Sequence, residues 1–517
     1  MTVLTAHPRR LMLGVVILVA CLAFAARVIP SPRTIDDAFI TFRYSRNILE
    51  GKGFTYNPGT PVLGTTTPFF TLLVAGVGAV LNGRDFPTYA LVLSALADAL
   101  TAVLLIHIVR RLTGHPLPSL LIGVLWAVAP RSVTFAVGGM ETSFAILWMV
   151  AAVYTYLTER PLWLGFFAGL GLFTRIDAAL WIAPLFAHQA LLSLRERPPL
   201  RLALRTWLVT ALTIAPWVVF SLAYFGSPVP RSLAAKSVAY VVAPGSALIT
   251  FIQAFSEPFF EFETFGSLGA MVGAVVYFTL ALIGVLYGVR RQPRLLPFFL
   301  YPFLYVLVFS LANPLIFRWY LAPPMPAYMI LILCGVWALV GGWGKRPTFV
   351  GQARRFVFVG AACLWLFTSL RGWTLHPDHG ADRPAPIMAW HQIERYYREM
   401  VEYLRATYGI SETTRLAAGD IGAVGYFSGA IIVDTVGLVT PAMSAYYPVD
   451  PALIPPGQVY AIPPQLIRDT QPDYLLTMEA FIRLGVAQDP TFQRDYELIR
   501  EIPTTFYGTG MLLYKRR

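Results

Sequence analysis

The sequence predicts a polytopic α-helical membrane protein that ends in an extracytoplasmic α/β domain. Three observations predict it. The 517 residues are 56% hydrophobic and only 13% charged, where soluble domains carry about a quarter charged residues. Mean hydropathy is +0.60, and apolar runs recur between residues 11 and 371 with short basic loops between them. Beyond residue 372 the composition turns mixed, with one amphipathic helical pattern and then short β-like runs. The formal charge of +12 sits in those loops, which is the positive-inside pattern. No basic and aromatic stretch of the kind that binds nucleic acid is present in the sequence.

The first element follows Arg9-Arg10 and runs from 11 to 28. Its basic start and apolar middle resemble a signal peptide, but further spans follow, so an uncleaved helix with a cytoplasmic N-terminus is expected. Later apolar segments lie at 87–109, 117–137, 141–157, 160–174, 176–194, 203–225, 268–289, 295–312, 318–341 and 354–371. Several fall short of the ~20 residues that a straight crossing needs. Eleven crossings put Arg110-Arg111, Arg195 to Arg205, Arg290-Arg291 with Arg294, and Lys345-Arg346 with Arg354-Arg355 in the cytoplasm. The run 68–81 is left out of that count, because crossing there would turn Arg110-Arg111 outward. It is expected to be re-entrant or in-plane, against protein or a wet cavity.

Two external loops result, 30–66 and 226–267, giving a membrane domain over 1–371 and a tail over 372–517. The tail is long enough for its own core. A helix is expected from His391 to Tyr408, with Ile393, Tyr397, Met400, Val401 and Leu404 along its apolar side. Strands are expected at Arg415–Ala418, Ile431–Val436, Asp473–Thr477, Tyr496–Ile502 and Met511–Tyr514. Cys21, Cys334 and Cys363 fall inside apolar runs, spaced for neither zinc nor a disulfide framework. His376-Pro377-Asp378-His379 lies in a proline-broken loop without the i,i+4 spacing of a helical metal site. Gly419-Asp420-Ile421-Gly422-Ala423-Val424-Gly425 departs from the Gly-x-Gly-x-x-Gly of dinucleotide loops.

The chemistry concentrates in the first loop, where Asp36 and Asp37 follow the first span. Thr34 can cap a helix beginning at Ile35, with Asp37 in its third position, and acids in a first turn suit the helix dipole. Capping accounts for one acid well. A pair also suits a reaction that needs a base at the membrane surface. The helix runs to Glu50, with Ile35, Phe39, Phe42 and Leu49 on one stripe and Arg43, Asn47 and Glu50 on another. It is expected to lie in the headgroup plane and to stop at Gly51 and Gly53.

The stretches Asp36-Asp37-Ala38-Phe39-Ile40-Thr41-Phe42-Arg43-Tyr44 and Glu50-Gly51-Lys52-Gly53-Phe54-Thr55-Tyr56-Asn57-Pro58-Gly59 resemble the first periplasmic loop of the GT-C glycosyltransferases. The similarity is nearest to the terminal arabinofuranosyltransferases of mycobacterial cell-wall synthesis. It extends more distantly to the lipid A aminoarabinose transferases and protein O-mannosyltransferases. Gly139-Met140-Glu141-Thr142, Thr174-Arg175, Gly226-Ser227-Pro228 with Ala235-Lys236, Arg318-Trp319-Tyr320 and Gly422 to Gly429 carry it along the chain. Two departures stand where the family has Pro-Glu-Gly and Pro-Asn, here Ile176-Asp177-Ala178 and Pro230-Arg231.

The resemblance implies a GT-C fold and transfer of a sugar, arabinofuranose by the nearest similarity, from a polyprenyl-phosphate donor to a cell-envelope glycan outside the plasma membrane. Asp36 is expected as the base, with Asp37 positioning the acceptor or exchanging roles with it. Arg175, Lys236 and Arg318 are candidates for the donor phosphate; as cations near span ends they also suit snorkelling to headgroups. Arg43, Tyr44, Asn57, Glu141, Asp177 and Tyr320 are candidate substrate contacts. No cofactor is required; a divalent metal on Asp36 and Asp37 is possible by analogy with some relatives. The competing class is a transporter or flippase for lipid-linked saccharides, for which inverted repeats and mid-bilayer charges would be expected.

Overall fold

The computed structural model describes residues 8–195, 200–257, 262–340, 349–375, 383–389 and 391–517. The histidine-containing loop 376–379 and Lys345-Arg346 lie outside the described residues. Among the described residues, eight helices are long and apolar enough to cross a membrane, or nine if a bent pair counts as one span. The chain is a multi-pass membrane protein. The segments expected at 141–157 and 160–174 form helices Thr142–Leu157 and Pro161–Thr174. At 16 and 14 residues they fall short of a straight crossing of a ~30 Å hydrocarbon layer. The expected in-plane segment forms helix Pro68–Val80, of 13 residues.

The chain divides into two compact units, and the division is not the one expected between 371 and 372. One unit joins Met1–Arg33, Ala90–Pro216 and Gly245–Ala389. The other joins Thr34–Tyr89, Trp217–Pro244 and Trp390–Arg517. They are called the span unit and the loop unit below.

In the span unit, helix Gly266–Arg291 packs on helix Met325–Leu339 through small residues. A Cβ at Gly284 would lie 2.0 Å from the Leu331 carbonyl oxygen, and one at Gly335 would lie 2.0 Å from that of Leu280. Backbones approach this closely only where side chains are missing, the usual basis of helix association in lipid. Two short antiparallel strands, β1 (Trp373–Leu375) and β2 (Pro384–Pro386), follow the last span.

Helix Pro116–Val128 breaks before Pro130 and resumes as Pro130–Val137 at 46°. A proline cannot donate back to the preceding turn, so carbonyls there are freed. Ser132 Oγ donates to Trp126 and Ala129. Arg27, fully buried at the end of the first helix, donates to the Trp126 and Ala127 carbonyls and to Asp98 Oδ2, the last at 2.8 Å. Ser143 Oγ adds a bond to the same Asp98 oxygen at 3.2 Å. An arginine and an aspartate deep in the unit thus compensate one kink and each other.

The loop unit holds a five-stranded sheet in the order β4-β3-β5-β7-β6. The strands are β3 Arg415–Ala418, β4 Ile431–Asp434, β5 Tyr474–Met478, β6 Tyr496–Pro503 and β7 Gly510–Arg516. β3 pairs parallel with β4 and β5; β7 pairs antiparallel with β5 and β6. Helix Gln392–Tyr408 buries Tyr397, Met400, Val401 and Leu404 as expected, leaves Ile393 half-buried, and buries Glu394 as well.

The first-loop helix, Asp36–Leu49, does not present a polar stripe to headgroups. Arg43 and Asn47 are as buried as Phe42. Phe39 packs on Tyr426 and Phe427 with ring centroids 5.3 and 5.1 Å away. Arg43 donates to the carbonyls of Tyr56, Gly425 and Ala430 and to Asn57 Oδ1. Asn57 in turn exchanges both bonds of its amide with the Ile432 backbone in β4. Tyr44 Oη donates to Val62 and accepts from Gly64. These three candidate substrate contacts therefore hold the unit together, because their donors and acceptors are spent on its backbone.

Residues 390–517 expressed alone should therefore fail to fold. They would leave the Gly425, Ala430 and Ile432 groups without their partners from residues 43 and 57. Amide hydrogen exchange showing protected β3–β5 in the isolated fragment would contradict this.

Candidate active site

Ile35 is extended, so the helix starts at Asp36 and both acids stand in its first turn. The expected Thr34 cap is not formed; the N-cap position is Ile35, with no side-chain cap bond. Glu394 Oε1 instead accepts the Asp36 N–H at 2.8 Å, supplying from a distant helix the acceptor that the local sequence was expected to provide.

Asp36 itself is committed. Its Oδ2 accepts the Gly422 N–H and its Oδ1 the Ala423 N–H, both at 2.8 Å. These are orphan donors at the start of helix Gly422–Ser428, whose own N-cap Ile421 offers no side-chain acceptor. Glycine at 422 makes the approach possible, since a Cβ there would sit 1.7 Å from the Asp36 carbonyl oxygen.

Asp37 is different. Its side chain is 26% exposed and its Oδ2 lies 3.2 Å from Lys236 Nζ. Lys236 stands in the last turn of helix Arg231–Ala239. Tyr397 Oη, 2.7 Å from Asp420 Oδ2, holds a further acid in the group. The structure thus brings Asp36, Asp37 and Lys236 together and adds Glu394, Tyr397 and Asp420, which sequence reasoning missed.

Burial, with repulsion from Asp420, lifts Asp36 to about 8 against the pull of its N–H donors. Burial also lifts Glu394 well above the ordinary carboxylate range, the Asp36 charge adding to it. Asp420 is lifted by burial too, with the Tyr397 hydroxyl pulling the other way. An acid lifted in the folded state keeps its proton where the unfolded chain has already released it. The folded state then binds more protons, so stability falls as pH rises from about 4 to about 8. The thermal unfolding midpoint of the detergent-solubilised protein should drop across that range, and Glu394→Gln should flatten the drop. An unchanged slope in the variant would show that Glu394 is not one of the groups responsible.

Among the described residues, no set of three or more His, Cys, Asp or Glu is arranged to hold a metal ion. Asp36 has both oxygens on backbone donors, and Asp37 faces a cation. This donor set does not suit a divalent metal on the pair.

The span unit gathers four other candidates. Arg175 makes a two-pronged contact with Asp177, at 2.9 and 2.7 Å, and reaches Glu141 Oε1 at 2.9 Å. Its guanidinium lies 5.1 Å from the Tyr320 ring centroid. Asp177 also accepts from Tyr305 Oη at 3.4 Å. Arg175 thereby forms a clasp where helix Pro161–Thr174 ends. Arg318 is exposed and donates to the Met388 carbonyl at 3.2 Å.

Residues 386–514 match a family model described as a domain of unknown function (DUF8728). No curated protein matches the chain in sequence. In fold it is similar to ArnT from Cupriavidus metallidurans in the apo state, at 10% identity and a TM-score of 0.54 over 98% of both chains. The same protein bound to undecaprenyl phosphate gives 13% identity and a TM-score of 0.52, over 98% of this chain and 97% of that one. The arabinofuranosyltransferase AftD from Mycobacteria aligns at 12% identity and a TM-score of 0.48, over 99% of this chain and 42% of that one. The chain therefore has the polytopic GT-C membrane fold with a C-terminal sheet domain.

Proposed function

We propose that the protein is an inverting glycosyltransferase that moves a sugar from a polyprenyl-phosphate donor to a hydroxyl of a cell-envelope glycan on the outer face of the plasma membrane. One observation carries the reading: Asp37, a part-exposed carboxylate 3.2 Å from Lys236, beside an Asp36 whose oxygens are already committed. The first-loop motif and the GT-C fold support the same class.

In the proposed step the acceptor oxygen bonds to the anomeric carbon while the bond from that carbon to the donor phosphate oxygen breaks. The acceptor proton passes to the Asp37 carboxylate, and the electron pair leaves with the polyprenyl phosphate. That leaving group is already ionised at neutral pH, so it needs a cation more than a general acid. Lys236 fills this role as a compact point charge and also fixes the position of Asp37. Asp36 positions the helix start instead of taking the proton, which reverses the order expected from sequence.

The narrower reading is that the sugar is arabinofuranose, which rests on the resemblance of residues 36–44 and 50–59. The test is the full-length protein in proteoliposomes with a series of polyprenyl-phosphate sugars and an envelope oligosaccharide. Mass spectrometry should find a new glycosidic bond, with arabinofuranose the preferred donor sugar. Movement of the lipid-linked sugar across the bilayer without a new bond would overturn the enzyme reading in favour of a transporter.

A further inference from the structure

The span unit contains a cavity of about 320 Å³ that the transfer reaction does not use. Its lining is ordered along three elements. Helix Pro116–Val128 contributes Leu125, and Arg131 follows six residues on, beyond the break. The last span contributes Trp365, and Arg371 follows six residues on; six helical residues span about 9 Å. Helix Met325–Leu339 contributes Met325 nearer one end and Met329 and Ile332 one and two turns deeper. Charge thus collects at one end, and flexible or apolar side chains line the rest. Methionine suits a conformationally mobile apolar guest.

The charged end is incompletely satisfied. Arg131 donates from Nε to Glu257 Oε2 at 2.8 Å, and its Nη2 lies 2.5 Å from Oε1. Its Nη1 is buried with no hydrogen-bond partner among the described residues, although the residue is only 8% exposed. A buried guanidinium nitrogen left unpaired is costly. Arg371 adds a second positive charge against the single carboxylate of Glu257. An arginine fork with one open side matches a phosphate oxygen.

We infer that this cavity binds one anionic lipid, its phosphate at Arg131 and Arg371 and its chain along Met329, Ile332 and Trp365. The recognised chemistry is a phosphate ester on a flexible apolar chain. A polyprenyl monophosphate and a bilayer phosphoglyceride both carry it. The inference does not depend on the transferase reading, since the cavity lies in the span unit and involves neither Asp37 nor Lys236.

The test is native mass spectrometry of the delipidated full-length protein in detergent. Separate arms receive a polyprenyl monophosphate, phosphatidylglycerol, diacylglycerol and inorganic phosphate. One equivalent of a phosphate-bearing lipid should be retained that Lys236→Gln leaves bound, and the more tightly held of the two identifies the source. Arg131→Gln should weaken retention roughly tenfold or more. Met329→Trp, which fills the chain end without touching the ion pair, should do the same. Because Arg131→Gln strips Glu257 of its partner, Arg131→Gln with Glu257→Gln takes its place if the single variant aggregates. Equal retention of diacylglycerol, or inorganic phosphate bound as tightly as lipid, overturns the proposal. So does undiminished lipid binding by a monodisperse Met329→Trp protein.

Discussion

Asp37→Asn should give a folded, monodisperse protein whose sugar transfer is lower by about 10²–10⁴-fold, the usual contribution of a positioned base. Asparagine keeps the shape of the side chain and can still meet a donor or a water, so the part-exposed position should tolerate it. It cannot take the acceptor proton. The loss should fall on kcat far more than on KM, because the proton moves only as the new bond forms. Asp36→Asn makes the contrast. An amide can present one oxygen to the Gly422 and Ala423 N–H groups, where the carboxylate presents two. Its first effect should therefore be on the thermal midpoint, with activity falling as the helix start loosens. Retention of full activity in Asp37→Asn, with its loss confined to a well-folded Asp36→Asn, would return the base to Asp36.

Asp98→Leu should be the most destabilising single change in the span unit. Arg27 is completely buried, and Asp98 is the carboxylate paired with it, at 2.8 Å. Removing one partner leaves an uncompensated guanidinium in an apolar interior, a loss of about 3–5 kcal/mol. Replacing both charges with apolar groups is often close to neutral, so Arg27→Met with Asp98→Leu should recover part of the loss. Recovery should be incomplete, because Arg27 also bonds the Trp126 and Ala127 carbonyls freed at the kink. Thermal unfolding followed by size-exclusion chromatography would rank the variants. A double variant as unstable as the single would mean the ion pair matters less than the kink.

The regular elements were legible in the sequence because they follow from local pattern. The five strands of the main sheet lie within a few residues of their expected positions, and the apolar segments all form helices. Glu394 and Asp98 each left a signal that went unread. Glu394 stands with Tyr397, Val401 and Leu404 at 3-4-3 spacing, a charge on an apolar stripe. Asp98 is the one acid beyond the first turn of the apolar helix Phe86–Thr113, and acids inside spans are seldom neutral in meaning. Asp37 and Lys236 were each marked by the family resemblance, but their contact with each other was not, since 199 residues separate them and no periodicity links them. The Thr34 cap was locally sound and lost to Glu394, an acceptor 358 residues away. Arg43 and Asn57 looked available because their partners are backbone groups, which no side-chain pattern reveals.

The interleaving of the loop unit sets a timetable for its biogenesis. Arg43 leaves the ribosome 382 residues ahead of Gly425 and 387 ahead of Ala430, whose carbonyls it binds. At roughly 5–20 residues per second of synthesis, that guanidinium waits on the order of tens of seconds for its acceptors. The first loop must therefore wait in an immature state, and Asp36 can meet the Gly422 and Ala423 N–H groups only after the last span has been made.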